Sequence, residues 1–170
     1  MKRFEDLSRE EYVTLLEDAA KNWLAHDGLW FQAVENAFGL EAAIELDGRA
    51  WESFTVAEAR RIMRFLKREP GGGIPALIES LGFRLYARLN VQEVVEASET
   101  RCVLRMRECR VQAARKRRGL PDFPCQPVGL IEYSGFARTI DPRISTRCLV
   151  CPPDPHPPDV WCAWEFTLEE

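Results

Sequence analysis

Three of the six cysteines, one of the two histidines and five prolines fall within nineteen residues, Cys148 to Phe166, reading CLVCPPDPHPPDVWCAWEF. Thiols at this density are the first place to look for metal or nucleophilic chemistry. Cys148-Leu-Val-Cys151 has the spacing at which two thiolates bind one metal, provided a tight knuckle turns residues three apart to the same side. A straight strand would send them to opposite faces, and Pro152-Pro153 favours ending the strand there. A second Cys-x-x-Cys is missing, so the remaining ligands must come from elsewhere. The leading set is Cys109, Cys125, Cys148 and Cys151, with His156 and Cys162 in reserve. Zinc and an iron–sulfur cluster both suit thiolate ligands, and spacing alone does not separate them.

Two other readings of the same residues stay open. Free cysteine commonly serves as a small buried hydrophobe, and Cys102, in phase with Leu104 and Met106, reads that way outright. A catalytic thiolate is the third reading. Cys125 is its best candidate, because a helix should start there beside a basic run, with His26 or His156 as the base. The stronger account of His26-Asp27 is structural: a histidine in the last turn of one helix, then a cap for the next. Arg143, next to Asp141 and Pro142, is a candidate anion site. The leading expectation is a small-molecule- or metal-binding domain; the competing one is a hydrolase of a small cyclic or amide substrate, using a cysteine thiolate or metal-bound water.

The totals narrow the class. A chain of 170 residues with 46% apolar and 29% charged residues can bury its own core, so neither metal nor disulfide is needed for folding. No apolar run approaches the length of a membrane span. MKRFEDLSREE has no apolar stretch after its basic residues, so a signal peptide is not expected and the cytoplasm is the expected compartment. There the cysteines read as thiols rather than a disulfide framework. A net charge of -4 argues against general nucleic-acid binding. Between Arg101 and Arg118, however, eight residues are basic and one acidic, which leaves an anion or RNA interaction module, centred on Arg115 to Arg118, as the weakest alternative. No aromatic residues interleave with that run to stack bases.

These residues must be positioned by the surrounding elements. Ser8-Arg-Glu-Glu11 is a capping box, and Tyr12 to Ala25 follows with helical apolar spacing. Asp27-Gly28 predicts a break, with a second helix to Phe38 and a stop at Gly39. A third helix is expected from Leu40 to Phe54, and a fourth from a second capping box, Thr55 to Glu58, through Leu66. Pro70-Gly-Gly-Gly-Ile-Pro75 reads as a turn leading into a short helix that ends near Leu81. Alternation then predicts a strand from Phe83 to Val91, with a bulge, or a strand starting near Asn90, accounting for Val94-Val95. A paired strand through Cys102, Leu104 and Met106 follows, then a basic helix over 108–118 and a helix from Pro124 to Ala137. Strands Ile144 to Val150 and Val160 to Leu168 close the chain, the latter with Val160, Cys162, Trp164, Phe166 and Leu168 on one face. The prediction is a single α+β domain over 1–170: a helical region (1–81) packed on a small, mostly antiparallel four-stranded sheet with two inserted helices (82–170).

Taken together, LAHDGLWFQAVENAFGLEAAIELD, PGGGIPALIE, CRVQAARKRRGLPDFPC, EYSGFARTIDPRI and CLVCPPDPHPPDVWCAWEF resemble a family of cytosolic bacterial and archaeal proteins classed as a domain of unknown function. More distantly, helices followed by a small sheet and a late Cys-x-aromatic-x-Phe strand are similar to vinyl-reductase-like and L-2-amino-thiazoline-4-carboxylate hydrolase-like ligand-binding domains. That likeness implies a pocket for a small organic ligand between helices and sheet, together with a homodimer.

Overall fold

The computed structural model describes residues 2–169. Two long helices, α1 (Arg9–Phe38) and α2 (Leu40–Leu66), and a short one, α3 (Gly73–Leu81), precede the strands β1 (Val91–Ala97) and β2 (Arg101–Glu108). Helices α4 (Arg110–Arg117) and α5 (Gln126–Ile140) come next, then β3 (Ile144–Val150) and β4 (Cys162–Leu168). The four strands form one antiparallel sheet in the order β1-β2-β4-β3. The architecture is α+β: a helical N-terminal region, then an antiparallel sheet with inserted helices.

Helix α1 begins as its capping box dictates. Ser8 Oγ accepts from the Glu11 N–H, and Glu11 Oε2 accepts from the Ser8 N–H at 2.8 Å. It then runs through Asp27-Gly28 without interruption, where two helices were expected. An interior glycine costs a helix only about 1 kcal/mol, which thirty residues of backbone hydrogen bonding absorb. Helix α2 likewise passes through both Asp47-Gly48 and Thr55. The second capping box does not form, because Thr55 Oγ1 donates to the Glu132 carbonyl at 2.8 Å and Glu58 pairs with Arg84. The tertiary partners of this pair take precedence over the local motif.

Helix α2 packs directly on α5, and Gly135 meeting Thr55 makes room for the contact. A Cβ on Gly135 would come 2.6 Å from Thr55 Cγ2, so only glycine lets the backbones approach this far. On the other side α5 covers the sheet, where Tyr133 and Phe136 meet Trp164 and Phe166 of β4. Leu104, Ile140, Ile144 and Cys102 complete this core. Glu165, on the opposite face of β4, is held between Arg101 and Arg147 at 2.7 Å from each. The region before Val91 is a 3-10 turn, Leu85–Arg88, rather than a strand. Its buried Arg84 anchors it to α2 and α5, and β1 starts beyond Asn90 with two bulges. Among the described residues no helix is long and apolar enough to cross a membrane.

Candidate functional site

Between α1, α2 and the 3-10 turn on one side and α4, α5, β2 and β4 on the other lies a cavity of about 570 Å³. Its walls are aromatic and aliphatic: Trp51, Tyr86, Phe31, Phe123, Tyr133 and Trp164. Trp164 reaches it because α5 carries Gly129, where a Cβ would sit 2.6 Å from the indole Cζ2. The indole N–H of Trp164 is buried without a partner. Two groups of reactive side chains open onto this space.

The first is acidic. Asp27 of α1, Asp47 of α2 and Glu132 of α5 all line the cavity. Burial raises the carboxyl of Asp47 to about 7, and the negative charges of Asp27 and Glu132 add to the effect. Burial also raises Asp27 and Glu132. Glu132 is paired with Arg84, 2% exposed, whose Nε lies 2.9 Å from Glu58 Oε2 and whose Nη1 lies 2.7 Å from Glu132 Oε1. Its guanidinium is enclosed by Phe136, Tyr133, Tyr86 and Trp51, with its carbon 4.8 Å from the Phe136 ring centre. Burial opposes its charge, and Glu132 and Glu58 overcome that to hold it protonated. One guanidinium is therefore shared by two carboxyls, Glu58 and Glu132. Nothing in their chain positions joins these residues, and the sequence reading missed them. The available signal was a charge inside an apolar stripe: Glu132 lies between Val128 and Phe136 at helical spacing, and Arg84 between Phe83 and Leu85.

The second group is made of thiols. Cys109, Cys125, Cys151 and Cys162 line the same cavity. Cys109 lies between β2 and α4, and Cys125 is the residue before α5. Cys151 follows β3 and Cys162 opens β4. A register shift between Cys148 and Val150 changes the phase of β3, and both Cys148 and Cys151 pack toward the core. Cys125 Sγ and Cys151 Sγ lie 3.6 Å apart, and the Gln112 amide donates to Cys125 Sγ at 3.3 Å. The Cys125 thiol is lowered because Cys151 donates to it, with Gln112 assisting. Cys151, as that donor and as a partner of Cys162, is pushed up. Burial raises Cys109 to about 12 and Cys102, on β2 in the core, to about 11.

Cys148 lies outside the cavity lining, with the Gln126 amide 3.8 Å from its sulfur. Among the described residues no group of three or more His, Cys, Asp or Glu side chains is placed to hold a metal ion. The expected zinc or iron–sulfur site on Cys109, Cys125, Cys148 and Cys151 thus gains no support from this arrangement. Neither histidine lines the cavity. His26 is exposed on α1, and His156 lies tilted against Trp161, ring centres 4.9 Å apart, with its Nδ1 3.0 Å from the Pro157 carbonyl. Cys125 thus meets neither expected base, and a glutamine amide takes that place. Arg143, expected at an anion site, binds Asp141 through Nε at 3.1 Å and Nη2 at 2.8 Å. In the basic run, Arg115 is buried against Glu35, the Pro121 carbonyl and Phe123.

The chain belongs to a family of unknown function, DUF6125, whose model matches residues 5–168. No curated protein and no solved structure matches it.

Proposed function

We propose that this protein binds a small organic molecule with an apolar or aromatic body and a cationic or hydrogen-donating head in the cavity between its helices and its sheet. The observation that carries this reading is the pairing of an aromatic-walled space of about 570 Å³ with Asp27, Asp47 and Glu132 on its lining. A volume of this size accommodates a ligand of metabolite size, and a few polar groups in an apolar wall are what orient such a ligand. Of the cations on the lining, Lys21, Arg110, Arg117 and Arg118 are exposed and Arg115 is bound to Glu35, so the half-buried Asp27 and Asp47 and the buried Glu132 select the head group. An ammonium or guanidinium placed among these carboxyls relieves their mutual repulsion, and the rings of Trp51, Tyr86 and Tyr133 favour a cation at their faces. The distant likeness to vinyl-reductase-like and L-2-amino-thiazoline-4-carboxylate hydrolase-like domains agrees with a ligand pocket in this position.

The test compares two probes of one shape, 2-naphthylmethylamine and 2-naphthylmethanol, by calorimetry and by tryptophan fluorescence. The amine is expected to bind and the alcohol to bind at least about tenfold more weakly, with Asp47→Asn narrowing the gap. Equal binding of the two, or no binding of either, counts against the reading.

A further inference from the structure

We infer that Cys125 and Cys151 form a redox-active dithiol that reduces the disulfide bond of a small molecule entering the cavity. The two sulfurs are in contact at 3.6 Å although their residues are 26 apart in the chain. Their surroundings hold them there: the Gln126 N–H donates to the Pro152 carbonyl at 3.0 Å, joining the residue after each cysteine. The two thiols differ in ways that fit two successive roles. Cys125 is half-buried on the cavity wall before the first turn of a fifteen-residue helix, whose N-terminal dipole favours a thiolate. Cys151, on the same lining, is 1% exposed. Gln112, also 1% exposed, directs its amide N–H at Cys125 Sγ while its other hydrogen bonds, both with the Phe123 backbone at 2.8 Å, fix its orientation. A donor held in this way stabilises charge on Cys125 but cannot remove a proton from it, which suits a thiolate nucleophile better than acid–base hydrolysis.

The chemistry balances without a metal. The Cys125 thiolate, its proton released to solvent, attacks one sulfur of R–S–S–R. The substrate S–S bond breaks as the Cys125–S–S–R bond forms, and RS⁻ leaves and takes a proton from water. Cys151 then loses its proton and attacks Cys125 Sγ, expelling the second RS⁻, which is protonated in turn. Two electrons and two protons pass from the dithiol to the substrate, giving two RSH and a Cys125–Cys151 disulfide. The inference shares the cavity with the ligand reading above but does not need its amine specificity.

The test uses the full chain, purified without oxygen and reduced, with substoichiometric 4,4′-dithiodipyridine as the probe. Each probe molecule consumed is expected to release two thiopyridones and leave the protein lighter by two hydrogens, with the new bond mapped to Cys125–Cys151. Cys151→Ser should release only one and retain the pyridyl adduct on Cys125; Cys125→Ser should react at least about tenfold more slowly. Cys102→Ala, which removes a buried thiol of β2 outside the cavity, should behave as the parent chain and controls for disturbance of the fold. A lasting adduct on the parent chain, a bond mapped elsewhere, unchanged behaviour of Cys151→Ser, or a metal found on these two sulfurs would each overturn the inference. Failure of the naphthyl amine to bind, with the thiopyridone count intact, would strike the ligand reading alone.

Discussion

Thr55 donates its hydroxyl proton to the backbone carbonyl of Glu132 at 2.8 Å, joining α2 to α5 at the level of the cavity's acidic group. Gly135 sits against the same threonine with no room for a methyl group. Adding a methyl should therefore cost more than removing the hydroxyl. Gly135→Ala is expected to destabilise the fold by about 2–3 kcal/mol through forced separation of the helices. Thr55→Val should cost about 1 kcal/mol, the net value of one hydrogen bond. Urea unfolding midpoints of the two variants check the order.

Arg84 is buried with Glu58 and Glu132, so its removal leaves two carboxyls without their cation. Arg84→Met should destabilise by about 3–5 kcal/mol. Adding Glu58→Gln and Glu132→Gln to that variant should restore a large part of the loss, because the penalty lies in the stranded charges rather than in the missing contact. Equal stability of the single and triple variants would refute this account.

Asp47 makes the fold sensitive to pH. Its carboxyl titrates near 7 when folded and near its ordinary value of 3.8 when unfolded, so between these values the folded chain binds the extra proton. Its contribution is present below about pH 4 and is lost as pH rises toward about 7. Asp47→Asn should flatten that slope and exceed the parent chain in stability at pH 8 by roughly 1–3 kcal/mol. Denaturation curves at pH 5 and pH 8 measure it.

The same titration sets how an amine probe binds. Below neutrality an ammonium meets a protonated Asp47, and above it a carboxylate. Affinity for 2-naphthylmethylamine should strengthen as pH rises through about 7 and then level off, while that of the alcohol stays flat. Calorimetry in buffers of different ionisation enthalpy should show proton release on binding near neutrality.

Asp141 behaves in the opposite sense. Arg143 holds its carboxyl down to about 2, and N–H groups of Arg143 and Gly73, both at 3.0 Å, add to this. A folded value below the unfolded one stabilises above about pH 4 and is lost as pH falls through about 2. Asp141→Asn should cost about 1–3 kcal/mol at pH 7 and progressively less in acid. Since Asp141 ties the glycine turn at Gly73 to the end of α5, trypsin cleavage after Arg68 should also accelerate.

Local patterns carried much of this fold. The capping box at Ser8, the proline-led start of α5 and the alternation in β2 specify their elements because the stabilising partners lie within a few residues. Asp27-Gly28, Asp47-Gly48 and Thr55 look like breaks for the same local reasons, yet their side chains serve the cavity and the α2–α5 contact, which lie far off in sequence. The thiols were legible as a group, since cysteine is rare and each of the four on the cavity falls at or next to an element boundary. What spacing cannot give is which sulfurs touch: Cys148 and Cys151 share a motif, but Cys125 is the contact partner. The acidic group was not legible, because burial, rather than residue type, makes Asp47 and Glu132 unusual.

Helix α1 contributes Leu24, Asp27, Gly28 and Phe31 to the cavity wall, yet Ala20 is its only fully buried residue. It is held to the body by ring contacts of Trp23 with Trp51, Phe54 and Tyr86 and of Phe31 with Phe123, and by polar links such as Glu35 to Arg115. Amide hydrogens of α1 should therefore exchange with solvent well before those of α5 or β4, in an opening that leaves the sheet intact. A ligand bound in the cavity should then register first as slowed exchange along α1.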